Sequence, residues 1–139
     1  ILGEGEDRGN LSGLIKELNL EDIVDLPGFT INPYKFLQKS DLFVLSSRWE
    51  DPGHVLLEAA TLKVPIVATN CPSGPAILLE NGKGGYMCNV EHPQDMANKI
   101  IDALRIKDNK KIIAAYNFSQ RYTLKSHFNG LNKLIKEIV

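Results

Sequence analysis

The stretch "DLFVLSSRWEDPGHVLLEAATLKVPIVATN", Asp41 to Asn70, decides the fold. Its opening, "DLFVLSS", is a nearly continuous apolar run, the pattern of a strand buried on both faces. Pro52-Gly53 interrupts the chain, and "HVLLEAATLK" then reads as a helix. "VPIVATN" is the next buried strand. Strand, helix and strand in that order argue for the parallel sheet of an α/β protein. In such sheets ligands bind beyond the carboxyl ends of the strands. Glu50 and Glu58 flank that region, eight positions apart. A carboxylate near a buried helix is costly unless something pairs with it. Either the two cap the helix start or they face a ligand.

Outward from this stretch the alternation continues. Ile1-Leu2 reads as the tail of a strand ending at the glycines of "GEGED". Leu11, Leu14, Ile15 and Leu18 share one helical face, and Asn19 ends that helix. "IVDLPGF" reads as a short strand stopped by Pro27-Gly28. "NPYKFLQKS" fits a short helix with Asn32 as N-cap and Pro33 at the first helical position. On the other side, Pro75 to Glu80 suggests a short helix and "GGYMCNV" a last strand. "HPQDMANKIIDALRI" is amphipathic, with Met96, Ile100 and Leu104 in step. Asn109 to Phe118 and Ser119 to Val139 read as two further helices. In the last, Phe128, Leu131, Ile135 and Ile138 fall on one stripe, expected to pack on the domain itself. With Lys125, Lys133 and Lys136 beside it, an anionic membrane surface is the alternative. With no repeat, low-complexity tract or long linker, one domain over 1–139 is expected. The strand-end rule picks out the loops after Leu2, Leu26, Leu45 and Thr69.

Composition narrows the function classes. The 139 residues are 43% hydrophobic and 24% charged, enough for one globular core. A net charge of −1 supplies no general basic field for nucleic acid. No apolar run approaches the roughly 20 residues that span a bilayer. Ile1-Leu2-Gly3-Glu4 has no basic n-region and no initiator Met, so a fragment or processed piece is expected. Cys71 and Cys88 have neither metal nor redox spacing, which suits a reduced, cytoplasmic setting.

If the central helix starts near Gly53, the N–H groups of Gly53, His54 and Val55 are orphan donors that favour an anion. A carboxylate accepts paired sugar hydroxyls well. Glu50 before the helix and Glu58 on its second turn would then frame a phosphate site, a mould for a nucleotide sugar. The plainer reading has Glu50 and Asp51 capping the helix, with Glu58 merely exposed. "GEGED" lacks the third glycine of a dinucleotide fingerprint and fits a simple turn as well as a binding loop. In "CPSGP", Ser73 and Gly74 could serve an oxyanion or a rigid turn. His54 is the one histidine in a candidate site; His92 and His127 are expected on the surface. No metal-ligand spacing and no nucleophile–base pair stands out.

Two longer segments carry a family resemblance: "LGEGEDRGNLSGLIKELNLEDIVDLPGF", then "PYKFLQKSDLFVLSSRWEDPGHVLLEAATLKVPIVATNCPSGPAILLENGKGG". With the paired glutamates Glu50 and Glu58 and Phe118-Ser119 before the closing helix, the sequence resembles the C-terminal, donor-binding domain of a GT-B glycosyltransferase of retaining family 4. The resemblance implies a Rossmann-like doubly wound parallel sheet with helices on both faces, one lobe of a GT-B fold truncated at its N-terminal edge. It implies that Glu50 contacts the transferred sugar near the reacting carbon, as the catalytic-site carboxylate. Asp51, Pro52 and Gly53 would border the donor sugar, the N–H groups of His54 and Val55 the diphosphate, and Glu58 the ribose. Gly3, Gly5, Gly28, Phe29 and Thr30 would line the base pocket.

The resemblance further implies a nucleotide diphosphate sugar as substrate, UDP-sugars favoured, with no metal or other cofactor required. The acceptor would be a glycan or a lipid-linked glycan held by a separate N-terminal domain. The parent would be cytoplasmic, with peripheral attachment at the inner membrane face as an option. Departures are Asp51-Pro52 after the first glutamate, Ile77 where a glutamate is common, and "LKVP" for the frequent "CGVP". The family's basic Arg and Lys pair, which neutralises the diphosphate, precedes the matching region; without the acceptor lobe, the isolated chain is expected to bind nucleotide weakly and transfer nothing. A sugar-nucleotide epimerase of the same fold and a non-catalytic nucleotide-binding module are the alternatives.

Overall fold

The computed structural model describes residues 1–138. The chain falls into two compact units, Ile1–Phe36 and Leu37–Val139.

In the first unit, α1 (Arg8–Glu17) forms as its periodicity predicts. Leu14 and Leu18 on its apolar face remain about half exposed. Two segments meet at a single parallel bridge between Leu2 and Gly28, where the Gly3 N–H donates to the Gly28 carbonyl at 2.8 Å. "IVDLPGF" is therefore not the strand expected of it. Pro27 has no N–H to place in a ladder, and Ile23 lies in a turn whose N–H bonds the Leu20 carbonyl. The helix α2 (Tyr34–Leu37) begins one residue later than Pro33, whose carbonyl accepts from the Phe36 N–H at 3.0 Å.

The second unit is built on three parallel strands in the order β1 (Phe43–Leu45), β2 (Ile66–Thr69) and β3 (Tyr86–Cys88). Val44 pairs with Val67, and Ala68 with Met87. The crossover from β1 to β2 is α3 (His54–Thr61); α4 (Pro75–Leu78) precedes β3. Every residue of β2 is buried, and its side chains alternate between two cores. Ile66 and Ala68 join Leu56, Ala59, Leu78, Leu79 and Phe118 on one face. Val67 joins Cys88 and Ala103 on the other, with Met96 and Ile100 of α5 (Pro93–Ile106). The result is an α/β, Rossmann-like parallel sheet with helices on both faces.

The strand β1 departs from the expected double burial: Leu45 is buried, but Val44 is 38% exposed. It is one of the two edge strands of this three-stranded sheet, with β2 as its neighbour among the described residues. The two cysteines are free and buried. Burial, reinforced by Asp95, pushes the Cys88 thiol above its usual range, so it is held as a neutral S–H.

After α6 (Asn109–Ser119) a turn of 3-10 helix (Gln120–Tyr122) leads into α7 (Leu124–Ile138). The single helix expected from Ser119 is broken at Thr123, which is extended (φ −76°, ψ 153°) and whose hydroxyl accepts from the Ser126 N–H at 3.2 Å. Val139 lies outside the described residues. None of α7 is buried: Phe128 is 62% exposed and Ile138 83%. The stripe thus does not pack on the domain as expected. One side of the sheet is already covered by α3, α4 and α6, the other by α5. Among the described residues, no helix is long and apolar enough to cross a membrane.

Candidate functional site

Beyond the carboxyl ends of β1 and β2, the loop from Ser46 to Gly53 carries the first glutamate into α3. Glu50 is half-buried, and its Oε1 accepts a hydrogen bond from the Ser47 hydroxyl at 2.6 Å. The Ser47 carbonyl in turn accepts from the hydroxyl of Thr69, the last residue of β2, also at 2.6 Å. Thr69 is only 2% exposed.

The helix α3 starts at Gly53, in the left-handed conformation (φ 81°, ψ 52°), and no side chain caps it. Neither Glu50 nor Asp51 is the N-cap of α3, and neither makes a side-chain cap hydrogen bond to it. The Gly53 carbonyl takes the first helical bond, from the Leu56 N–H at 2.9 Å. The N–H groups of His54 and Val55 lie in the first turn, where the helix dipole favours an anion. Glu58 follows His54 by one turn, so the two share a helix face. Asp51 is exposed, and its peptide bond to Pro52 is cis.

The "CPSGP" loop closes the other side. A Cβ at Gly74 would lie 2.4 Å from the Pro52 carbonyl oxygen and 3.3 Å from the Glu50 Cβ. Gly74 is a close-approach glycine that lets this loop pack directly on the loop carrying Glu50. Ser73 beside it is exposed and in the left-handed region (φ 79°).

One hollow at the strand ends escaped the sequence reading. It encloses about 280 Å³ between Ser46, Thr69, Asn89, His92 and Met96. An ion pair between Arg48 and Glu91, 2.9 Å apart, joins the loops after β1 and β3. The strand-end rule would have found this loop had it been applied to Cys88 as well as to the earlier strands. His92 is at the surface, as expected, and its Nδ1 accepts from the Asp95 N–H at 3.1 Å, capping α5.

The expected base-pocket residues belong to the first unit. Gly3 and Gly28 come together at the bridge, both with positive φ (110° and 86°). A Cβ on Gly28 would fall 2.5 Å from Glu4 Oε1. Gly5 has open space around it. Phe29 is 76% exposed, and Thr30 accepts from the Asn32 N–H at 3.4 Å. Arg8, not singled out from sequence, ties this loop pair together. It donates to Glu4 Oε1 at 2.9 Å and to the Leu26 carbonyl at 2.7 Å. The spacing of Glu4 and Arg8, four residues apart, was the available signal.

The profile of the family Glycosyl transferases group 1 matches residues 1–120. The chain belongs to this family. Over 83% of its length it is 35% identical to the poly(ribitol-phosphate) alpha-N-acetylglucosaminyltransferase of Staphylococcus aureus, covering 22% of that protein. Over 69% it is 38% identical to the Campylobacter jejuni N-acetylgalactosamine-N,N'-diacetylbacillosaminyl-diphospho-undecaprenol 4-alpha-N-acetylgalactosaminyltransferase, covering 26% of it. A crystal structure of a S. aureus TarM mutant, in complex with fondaparinux, alpha-GlcNAc-glycerol and UDP, superposes with a TM-score of 0.70 at 34% identity. That superposition covers 87% of this chain and 24% of TarM. The chain thus spans about a quarter of the length of these relatives.

Proposed function

We propose that the chain is the donor-binding part of a retaining, family 4 glycosyltransferase. The parent moves a hexosyl group from a nucleotide diphosphate sugar to a glycan or lipid-linked acceptor in surface-glycan assembly. The observation that carries this reading is the uncapped start of α3 between two carboxylates. The N–H groups of His54 and Val55 receive the diphosphate, Glu58 the ribose hydroxyls, and Glu50 the hydroxyls of the transferred sugar. Asp51, Pro52 and Gly53 border that sugar. The UDP in the TarM complex supports UDP as the nucleotide. The names of the staphylococcal and Campylobacter relatives support surface and lipid-linked glycans as acceptors.

The chemistry follows from charge. When the bond between the sugar carbon and the diphosphate breaks, negative charge grows on the leaving oxygen. Donors already aimed at that position stabilise it without reorganising. The first turn of α3 provides such donors, so no metal is required for this step. Chelation with EDTA should therefore leave nucleotide affinity unchanged. Glu50 fixes the sugar at the reacting carbon, and the acceptor is brought by the remainder of the parent, which supplies the proximity term. In the first unit, Gly3, Gly5, Gly28, Phe29 and Thr30 are assigned to the base, for which the exposed Phe29 ring offers a stacking face. The parent works in the cytoplasm, at or near the inner face of the membrane.

The test is calorimetric titration of the chain with UDP, GDP and ADP, beside Glu58→Ala. Binding of one nucleotide, weakened by Glu58→Ala at unchanged melting temperature, supports the reading. An absence of binding at millimolar nucleotide, in this chain and in one extended at its N-terminus, overturns it.

A further inference from the structure

The Glu50 carboxylate sits on an irregular loop, where a glutamate has several rotamers open to it. A carboxylate that must accept particular sugar hydroxyls needs a fixed direction, and that direction has to come from its neighbours. Three contacts supply it here. The Ser47 hydroxyl holds Oε1 at 2.6 Å, within the range of a charge-assisted O–H···O bond. Gly74, lacking a Cβ, lets its loop close against the Glu50 Cβ. Oε2 faces Gly53, where a Cβ would come within 3.4 Å of it, and so points toward the start of α3.

Ser47 would be a poor anchor if nothing held its own backbone in place. Its carbonyl is bonded by the hydroxyl of Thr69, which is buried at the end of the central strand. Continuing the register that pairs Leu45 with Ala68 would set Thr69 opposite Ser46, and its side chain reaches one residue further, to the Ser47 carbonyl just beyond the end of β1. Two consecutive hydrogen bonds therefore run from the rigid centre of the sheet to one oxygen of Glu50. Among the described residues, no hydrogen bond reaches the other oxygen.

We propose that Ser47 is a positioning residue for the donor sugar: anchored by Thr69, it immobilises one Glu50 oxygen so that the other is presented to the sugar hydroxyls. The inference rests on the donor-binding reading above. It assigns Ser47 and Thr69 a part in recognition of the sugar and none in recognition of the nucleotide. That division is what a merely structural role would not produce.

The experiment measures affinities of UDP, UDP-N-acetylglucosamine and UDP-glucose for the full chain by calorimetry. Wild type is compared with Ser47→Ala, Ser47→Thr and Thr69→Val. Ser47→Ala is expected to weaken the better-bound UDP-sugar about tenfold, the range of a lost hydrogen bond to a charged group, with UDP itself unmoved. Ser47→Thr, which keeps the hydroxyl, restores the sugar affinity. Thr69→Val, close in shape but without the donor, falls between the two and guards against a folding failure of Ser47→Ala. In a Glu50→Ala background, Ser47→Ala has no further effect on the sugar. If wild type binds UDP and UDP-sugar while Ser47→Ala leaves their ratio unchanged, the positioning role is wrong and the donor reading stands. A loss of UDP and UDP-sugar in equal proportion also overturns it. If wild type binds neither, the donor reading fails and takes this inference with it.

Discussion

Two helices of the second unit carry comparable sequence signals and meet opposite fates. The crossover helix α3 buries Leu56, Ala59 and Ala60 against β2 and packs along α6. The closing helix α7 has a cleaner apolar stripe, yet buries nothing. Amphipathic periodicity states that a face wants cover; it does not state where the cover comes from. The covered helix is the one whose start carries the candidate chemistry. Its donors and carboxylates are held by packing that a loosely attached helix could not provide.

The sharpest way to break this comparison is to empty the packing under α3. Leu56 is fully buried, so Leu56→Ala should cost about 2–5 kcal/mol and lower the melting temperature markedly. A shift of a degree or less would mean that α3 is no better anchored than α7. Next comes the proposed ligand face of the same helix. Glu58→Ala should weaken UDP binding by about 1.5–3 kcal/mol, read by calorimetry on the folded variant. The loop contact is a third test. Gly74→Ala pushes a methyl into the Pro52 carbonyl, which should cost about 1–3 kcal/mol of stability and reduce UDP-sugar affinity more than UDP affinity. Equal affinities in the variant and wild type would show that the Glu50 loop is not clamped. At the other end of the scale, Leu131→Ala on α7 should change stability by no more than about 0.5 kcal/mol. A larger loss in thermal denaturation would mean that the stripe is covered in solution.

Much of the second unit was legible because each segment has one strong local signal. "VPIVATN" read as a buried strand, and it lies at the centre of the sheet with every residue of β2 buried. Pro52-Gly53 marked the start of α3 to the residue, and Pro75 that of α4. "IVDLPGF" misled because composition says nothing of whether a partner strand is long enough to pair with, and Pro27 withholds a donor. Val44 misled because an edge strand can have the composition of a central one. For the site, the spacing of Glu50 and Glu58 was visible, but their environment was not. Ser47, Thr69 and the close approach of Gly74 depend on contacts between segments more than twenty residues apart, such as Ser47 with Thr69. Arg8 could have been found from its four-residue spacing to Glu4; the hollow beside Asn89 and Met96 needed the strand-end rule carried to the last strand.

The central placement of β2 has a consequence in time as well as in space. It pairs with a parallel strand on each side and has a helical layer over each face. Its amides cannot meet solvent unless both cores open together, so hydrogen exchange there should follow global unfolding and be the slowest in the chain. Thr69 is the last residue of that strand. The anchor of Glu50 is thus tied to the segment that opens least often, while amides along α7 exchange first. A candidate catalytic carboxylate on a surface loop would in this way share the lifetime of the innermost strand.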